Sequence, residues 1–187
     1  MPSLSSGPYK FDLRINKVLG DIGDRSIAGV EYSIHYEIDK RKMMNSASTC
    51  VNLDLTVKDE APDDFYRAIE DALINAKTTV HNTIDGLFSI GIYPTINLTE
   101  DICWHTLPCE PIHFVGDPEN VFKIILCINA YNGRTGSGIS LVLPCYRHDI
   151  ELFTKEYIDA IFKASKVDGY LEKHFFRWFP QREGSIS

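Results

Sequence analysis

The sequence predicts an α+β fold in which two main helices pack on a mostly antiparallel sheet. Several segments alternate apolar and polar residues, as strands with one buried and one solvated face do. Two other segments repeat apolar residues at steps of three and four, which is the period of an amphipathic helix. The length of 187 residues fits one domain.

Three strands are predicted in the N-terminal third of the chain. Apolar residues alternate over residues 9–15, 30–38 and 51–57. This alternation indicates an antiparallel meander with one buried face. Residues 1–8 are rich in Ser, Pro and Gly, and they are predicted to form a flexible leader.

The first helix is predicted over residues 62–82. Pro62 suits the first turn of a helix, and Asp59 and Glu60 place negative charge near its N-terminal end. The apolar stripe of this helix consists of Phe65, Ile69, Leu73, Ala76 and Val80.

Four further strands are predicted over residues 87–93, 101–107, 122–130 and 139–143. Residues 122–130 are almost continuously apolar, as a central strand covered on both faces would be. The glycine-rich tract 132–138 is predicted to join this strand to the next one as a hairpin loop.

A second helix is predicted over residues 155–166, with Thr154 as its N-cap and Asp168-Gly169 at its end. The segment that follows it is rich in aromatic residues. Because no linker or repeat divides the sequence, we predict a single globular domain over residues 9–180 and a flexible tail over residues 181–187.

Charge and cysteine content narrow the classes of function. A net charge of −7 and a pI near 5.3 oppose general binding to polyanions. Five cysteines, mostly inside apolar runs, do not fit a secreted disulfide framework. The sequence has neither a signal peptide nor an apolar run of about 18–20 residues, so a cytoplasmic protein is predicted.

One pattern has the residue types of a metal site, because two thiols and two imidazoles can bind zinc. Its four residues are Cys103, His105, Cys109 and His113. Their spacing differs from the close pairs of common zinc modules, which favours a strand and a loop without metal. Cys145 and His148 have the residue types of a nucleophile and its base, but Cys145 ends an apolar run that indicates a buried thiol. We therefore predict no catalytic residue, no cofactor and no small-molecule substrate.

Two segments are predicted to form contacts at the surface. A cluster of three cations and two flexible apolar side chains suits contact with a membrane surface, a protein or RNA, and an exposed charged turn is its alternative. It consists of Lys40, Arg41, Lys42, Met43 and Met44. The C-terminal aromatic segment either packs on the domain or anchors a neighbouring subunit, since Trp, Tyr and Arg are frequent in interface hot spots. The predicted interface residues are Tyr170, Phe175, Phe176, Arg177, Trp178 and Phe179.

The order of elements is similar to that of a known family. An alternating strand over residues 51–57 leads through an acidic turn into a helix that begins near Phe65. Several strands follow, and a helix with Tyr157 and Phe162 then leads to an aromatic, basic C-terminus. Residues 50–179 thereby resemble the globular core of rhabdovirus-type matrix proteins, in the small form of plant-infecting members.

The resemblance implies a non-enzymatic protein that self-associates, condenses the viral ribonucleoprotein and links it to the lipid envelope. Its partners would be other copies of itself, the nucleocapsid and a membrane surface, in the host cytoplasm and the virion. Tyr93-Pro94 followed by Leu98 resembles the late-domain motif by which some viral proteins recruit the budding machinery.

Two hypotheses of other classes remain open. The chain could be an intracellular, adaptor-like module that binds one protein partner without polymerising. It could also be an enzyme that uses the Cys103–His113 cluster as a metal or thiol site.

Overall fold

The computed structural model describes residues 1–6, 9–21, 26–38, 51–83, 87–94, 121–129 and 138–170, together with Phe175 and Phe179. Within them, four strands and a helix are followed by four more strands and a second helix. This arrangement confirms the predicted α+β class. The strands form two antiparallel sheets rather than the single sheet that was expected.

The first sheet contains β1 (Ser3–Ser6), β2 (Tyr9–Asp21), β3 (Ser26–Ile38) and β4 (Val51–Asp59), which lie side by side in that order. The predicted N-terminal meander is confirmed, and β2 and β3 extend to 13 residues each. The register of β2 shifts between Ile15 and Lys17 and again between Leu19 and Gly20. Irregularities of this kind bend a strand and increase its twist.

The predicted flexible leader is wrong for residues 3–6, which form β1. Leu4 pairs with Phe11 and is 2% exposed, and the Leu13 amide donates to the Pro2 carbonyl at 2.9 Å. Burial of Leu4 and the ladder bonds hold this segment on β2. The rest of the leader, residues 7–8, and the predicted tail, residues 181–187, lie outside the described residues.

The second sheet contains β5 (Thr79–Asn82), β6 (Phe88–Pro94), β7 (Val121–Asn129) and β8 (Gly138–Tyr146), again in sequence order. Strands predicted near residues 87–93, 122–130 and 139–143 are thereby confirmed. The strand predicted over residues 101–107 lies outside the described part of the chain.

Helix α1 spans Pro62–Asn75, so its predicted start is confirmed and its predicted end at residue 82 is wrong. Ala76 adopts the left-handed conformation, with φ 48° and ψ 36°, and its amide donates to the Asp71 carbonyl. The β-branched residues Thr78, Thr79 and Val80 then favour the extended backbone of β5.

Helix α2 spans Arg147–Val167 and starts directly after β8, well before the predicted residue 155. Thr154 is not an N-cap. It is buried inside the helix, and its hydroxyl donates to the Ile150 carbonyl at 2.6 Å. The Tyr146 amide instead donates to the Asp149 carboxylate at 3.2 Å, and the predicted end at Asp168-Gly169 is confirmed.

Both sheets and both helices enclose a single core. Phe11 of β2 stacks on Phe88 of β6, with ring centroids 6.0 Å apart. Phe65 of α1 meets Tyr157 of α2 edge-to-face at 4.8 Å. Each such aromatic pair contributes about 0.5–1.5 kcal/mol beyond the burial of its area, so the two four-stranded halves are joined through these rings.

Candidate functional site

The outer face of the second sheet carries an apolar row that crosses all four strands. The side chains on the other side of these strands, such as Ile90, Ile124 and Leu143, are in the core. The row is defined by the pairings of β5 with β6, β6 with β7 and β7 with β8, and it consists of Val80, Gly91, Ile125 and Val142. We call this surface the apolar outer face.

The row is accessible to solvent at both ends and in the middle. The side chain of Val80 is 54% exposed, and Ile125 and Val142 are half-buried. The prediction that residues 122–130 are covered on both faces is therefore too strong, since the outward side of β7 is only half-covered. An apolar surface left open in this way is typical of a contact surface.

Tyr93 lies over the row at Gly91. A Cβ atom at Gly91 would meet Cε2 of the Tyr93 ring at 2.6 Å, so the ring occupies the space that the glycine leaves. Gly91 is consequently buried although it lies on the outer side of the sheet. An aromatic ring that covers a strand glycine adds flat apolar surface to this face.

The apolar outer face has little charge. Two flanking rows cross the sheet beside it, one with Tyr93, Lys123 and Pro144 and one with Asn82, Ser89, Cys127 and Ser140. Lys123 is the one charged residue among these positions. Cys127 and Ser140 are paired through their Sγ and Oγ atoms, 3.3 Å apart.

A buried polar cluster lies where the two sheets meet. Asp59, at the end of β4, is 1% exposed, and its Oδ2 atom is 2.9 Å from Nε2 of His81 on β5. The same carboxylate accepts hydrogen bonds from the Tyr32 hydroxyl at 3.4 Å and the Ala61 amide at 3.0 Å. The Phe65 ring stacks on the imidazole at 5.2 Å.

The chain approaches this cluster closely at Gly29. A Cβ atom there would lie 2.7 Å from the carbonyl oxygen of Asp59, so a larger residue would push β3 away from the end of β4. The glycine thereby allows the Asp59 carboxylate to remain beside Tyr32.

The cluster is suited to joining the two sheets rather than to catalysis, and we call the Asp59–His81 pair the polar tie. An imidazole–carboxylate pair can orient a base in catalysis, but His81 is only 6% exposed and is covered by Phe65. An open cleft of about 320 Å³ lies elsewhere, against Leu13, Arg14 and Ala160. A buried carboxylate is costly unless it is paired. Separating β4 from β5 would leave Asp59 without His81, so the pair holds the two strands together.

The structure does not bring Cys145 and His148 together as a catalytic pair. Burial raises the pKa of the Cys145 thiol to about 12, which disfavours the reactive thiolate. His148 is exposed and contacts Tyr146 and Asp149 instead. This finding agrees with the prediction that Cys145 is a buried structural thiol.

Three predicted interface residues belong to the core. Tyr170, Phe175 and Phe179 are 7%, 0% and 1% exposed. Phe179 meets Tyr66 of α1 edge-to-face at 5.5 Å, and Phe175 meets Phe162 of α2 at 4.8 Å. The prediction that these three anchor a neighbouring subunit is wrong, because their apolar surface is already buried within their own domain. Phe176, Arg177 and Trp178 lie outside the described residues.

Tyr93 and Pro94, the first two residues of the predicted late-domain-like motif, lie within the second sheet. Both residues are in β6, where they pair with Lys123 and Phe122, and Pro94 is buried. A linear motif has to leave its backbone free for a partner, which a strand inside a sheet does not do. Leu98 lies outside the described residues.

Two further predictions fall on residues that the structure does not describe. These are the surface contact at Lys40, Arg41, Lys42, Met43 and Met44 and the zinc candidates Cys103, His105, Cys109 and His113. Among the described residues, no three His, Cys, Asp or Glu side chains are grouped as a metal site would require. Neither described helix is long and apolar enough to cross a membrane.

Sequence reasoning missed both the Asp59–His81 pair and the apolar outer face. Asp59 continues the alternation of Val57, so the period of β4 already placed its carboxylate inside, where it needs a partner. His81 was assigned to a helix that ends before it. Ile125 could not be assigned to a face because both sides of its strand are apolar.

No protein-family model and no curated protein matches this chain. Among solved structures, the chain has a likeness to the plant transcriptional regulator PBF-2. The sequence identity is 7% and the TM-score is 0.41, over 97% of this chain and 84% of that one. A likeness of this size establishes neither a shared fold nor a shared function.

Proposed function

We propose that this chain is a non-enzymatic, matrix-type structural protein whose copies associate with one another through the apolar outer face of the second sheet. In the viral setting that the sequence resemblance implies, the resulting layer would condense the ribonucleoprotein and connect it to the envelope. The observation that carries the proposal is the apolar row Val80, Gly91, Ile125 and Val142.

The chemistry of this row differs from that of an ordinary solvated sheet face. Antiparallel sheets that face water carry polar residues on that side. The first sheet follows this rule, with Arg14 and Lys17 exposed and Glu31 and Glu37 half-exposed on its outer side. The second sheet does not, which supports a contact surface there.

The neutrality of the apolar outer face favours another copy of the chain as its partner. Two copies with a net charge of −7 each repel one another at long range. This repulsion is smallest where the facing surfaces carry little charge, and the apolar outer face has that property. We therefore expect association to strengthen as added salt screens the repulsion.

The size of the surface predicts weak binding between two copies. Four strands at about 4.8 Å spacing and three rows of side chains present roughly 400 Å². This is about half of the roughly 800 Å² that each partner contributes to a stable complex. Association should therefore depend on concentration, as expected of a protein that assembles through many weak contacts.

Sedimentation velocity over a range of protein concentrations tests the proposal. We expect the unmodified chain to form larger species at high concentration. The double variant Val80→Lys with Val142→Lys should remain smaller, because two charges from each copy would be desolvated in every contact. Leu152→Lys is the matched control, since Leu152 is 57% exposed on α2, away from this face, and should sediment like the unmodified chain.

A strictly monomeric protein at every concentration and salt level would contradict the proposal. A monomer that forms a stable one-to-one complex with another protein would replace it with the adaptor-like alternative. Equal effects of the double variant and Leu152→Lys would show that added charge alone, and not the apolar outer face, controls association.

The contact with the ribonucleoprotein and the envelope has its own test. In this proposal Lys40, Arg41 and Lys42 supply the positive charge, and Met43 and Met44 supply apolar contact. Replacement of the three cations by Glu should abolish co-sedimentation with RNA or with anionic vesicles without changing self-association. Unchanged co-sedimentation would remove this segment from the proposal.

A further inference from the structure

Strand β1 covers only the first part of the β2 edge. It pairs with the first four residues of β2, and a hydrogen bond from the Leu13 amide to the Pro2 carbonyl at 2.9 Å continues the ladder by one step. Further along this edge, the Val18 amide donates to the Asp168 carboxylate at 2.7 Å. Between these two contacts, no described residue pairs with β2 on this side, and we call residues 14–17 the β2 gap.

The backbone of Ile15 faces the β2 gap. In an antiparallel ladder, residues two apart direct their amide and carbonyl groups to the same side. The Leu13 amide is directed to Pro2, and the register of β2 shifts only after Ile15, so the polar groups of Ile15 point to the same side as those of Leu13. Groups in this position can pair with an added strand.

An open cleft of about 320 Å³ lies beside the β2 gap. It is lined by Met1, Pro2, Leu13, Arg14, Ile15 and Ala160. Ile15 is half-buried on the inner side of β2, and Ala160 of α2 presents only a methyl group to the cleft. An added strand would therefore find space for one apolar side chain opposite Ile15, which would be the specificity pocket of such a contact.

Arg14 supplies an unpaired positive charge at the cleft. Its side chain is exposed, and none of the ion pairs within the described part of the chain involves it. The nearby carboxylates are occupied by other cations. Asp12 is bonded to Lys10 at 2.6 Å, and Glu156 lies 3.7 Å from the Met1 ammonium group. A carboxylate of a ligand beside Arg14 would therefore meet a complementary charge.

The size of the β2 gap excludes a second copy of β2 as its occupant. Four residues of a strand span about 13 Å, and Pro2 and Asp168 close the two ends. A second β2, with 13 residues, would overlap the position of β1. A phosphate group could pair with Arg14, but it would use neither the backbone of Ile15 nor the apolar space. A short extended peptide uses all three features.

We infer that the β2 gap binds a short extended peptide segment of a partner protein, which adds to β2 in line with β1. The segment runs antiparallel to β2, as β1 does. Its apolar side chain lies opposite Ile15 and enters the cleft toward Ala160, and the acidic residue that follows lies opposite Arg14. Pro2 then ends the pairing. This surface is separate from the apolar outer face, so the inference does not depend on self-association.

NMR titration of the isotopically labelled chain with a peptide probe tests the inference. The probe is acetyl-Ser-Thr-Leu-Asp-amide, in which Asp carries the only charge. The amide signals of Ile15 and Asn16 should shift, and those of β7 should not. Replacing Asp by Asn should raise the dissociation constant about fivefold, and replacing Leu by Gly about tenfold. No shift at Ile15 with about 5 mM probe would overturn the inference.

An exchange of charge tests the position of the acidic residue. Arg14→Glu should weaken binding of the probe about tenfold, because a like charge replaces the opposite one. The same variant should prefer a probe with Lys in place of Asp, whereas the unmodified chain prefers Asp. Lys155→Glu makes the same change in charge at an exposed position on another face of α2 and should bind like the unmodified chain. An Arg14→Glu variant that keeps the preference for Asp would contradict the register.

Two further changes separate strand addition from attraction by charge alone. A probe with an N-methyl group on the Leu amide keeps its charge but cannot donate to the Ile15 carbonyl, so its binding should be lost. Ala160→Met should fill the cleft and weaken binding about tenfold, whereas Ala160→Ser should not. If the N-methylated probe binds like the original one, the strand addition is overturned, and the sedimentation test of self-association is unaffected.

Discussion

The outer faces of the two sheets differ in chemistry, although both sheets are antiparallel, have four strands and cover the same core. The first sheet presents paired opposite charges, such as Lys10 opposite Glu37 and Lys17 opposite Glu31. The second sheet presents the apolar row around Gly91 and Ile125. The difference teaches that the outer side of a sheet can be specified for water or for a partner independently of its inner side.

The inner sides of the two sheets, unlike their outer sides, are both apolar and pack against each other. Phe11 and Tyr32 from the first sheet both contact Phe88 from the second. The Asp59–His81 pair adds a polar tie between β4 and β5. We expect perturbation of the shared interior to cost the most stability, and perturbation of the outer faces or of the connection between the halves to cost less.

The largest effect is expected at the polar tie. His81→Ala leaves the Asp59 carboxylate buried without its imidazole partner, so the free energy of unfolding should fall by about 3–5 kcal/mol. Urea denaturation measures this difference. His148→Ala is the control, because His148 is exposed and its loss should change stability by less than about 0.5 kcal/mol. A loss below about 1 kcal/mol in His81→Ala would mean that the tie does not join the sheets.

Alkaline pH should distinguish the buried thiol of the second sheet from the ion pair of the first. Burial raises the pKa of Cys145 from 9.0 to about 12, so its contribution to stability is complete below about pH 9 and is lost as pH rises toward 12. Between pH 9 and 10 the thiol should lower the free energy of unfolding by about 1 kcal/mol, because only half of the unfolded-state thiols are still protonated at pH 9. Cys145→Ala should remove this part of the pH dependence.

Lys10 provides the comparison for the alkaline experiment. Its hydrogen bond to Asp12 raises its pKa above 10.5, so its contribution to stability is retained until the pH exceeds that value. Lys10→Met should therefore leave the slope between pH 9 and 10 unchanged. The same slope in Cys145→Ala and in the unmodified chain would contradict the assignment to the thiol.

Gly91→Ala tests the packing of the apolar outer face. The new Cβ atom would meet the Tyr93 ring, and the free energy of unfolding should fall by about 1 kcal/mol as the ring moves. In a Tyr93→Ala background the same substitution should be nearly neutral, which a double-mutant cycle measures. Thr56→Ala on the outer side of the first sheet is the control. Equal costs with and without the ring would show that Tyr93 does not cover Gly91.

The smallest effect is expected in the connection between the two halves. Ala76 has a positive φ of 48°, a conformation that costs an L-residue roughly 1 kcal/mol and suits glycine. Ala76→Gly should stabilise the protein by about 0.5–1 kcal/mol in thermal or urea unfolding. Ala68→Gly, within α1, should have the opposite sign, since glycine weakens a helix interior. Destabilisation by both substitutions would contradict the left-handed end of α1.

Strands of the fold could be predicted from alternation, but the end of α1 and the start of α2 could not. The sequence predicts that the apolar stripe of α1 continues to Val80, because Ala76 and Val80 keep the helical spacing. No residue type in the sequence indicates the left-handed turn at Ala76. The start of α2 was missed because Thr154 resembles an N-cap. Ile150 and Phe153 already continue the helical period toward the N-terminus, so that period carried more information than the single threonine.

The candidate contact surface depended on assigning faces, which needs the structure. Ile125 lies in a run that is apolar on both sides, so alternation cannot tell its inner side from its outer side. The C-terminal aromatics could serve a core or an interface by composition alone. The contacts of Phe175 with Phe162 and of Phe179 with Tyr66 show that these two residues belong to the core.

Strand β5 determines where the second sheet opens first by local unfolding. It has four residues, lies at the edge of its sheet, and is held by its ladder to β6, by a hydrogen bond from Thr79 to the Ala68 carbonyl and by the contact of His81. A short edge element of this kind detaches at a lower free energy than the interior strands. Amide hydrogen exchange should therefore be fastest in β5 and intermediate in β6, with β7 protected up to global unfolding, so the sheet opens from this side.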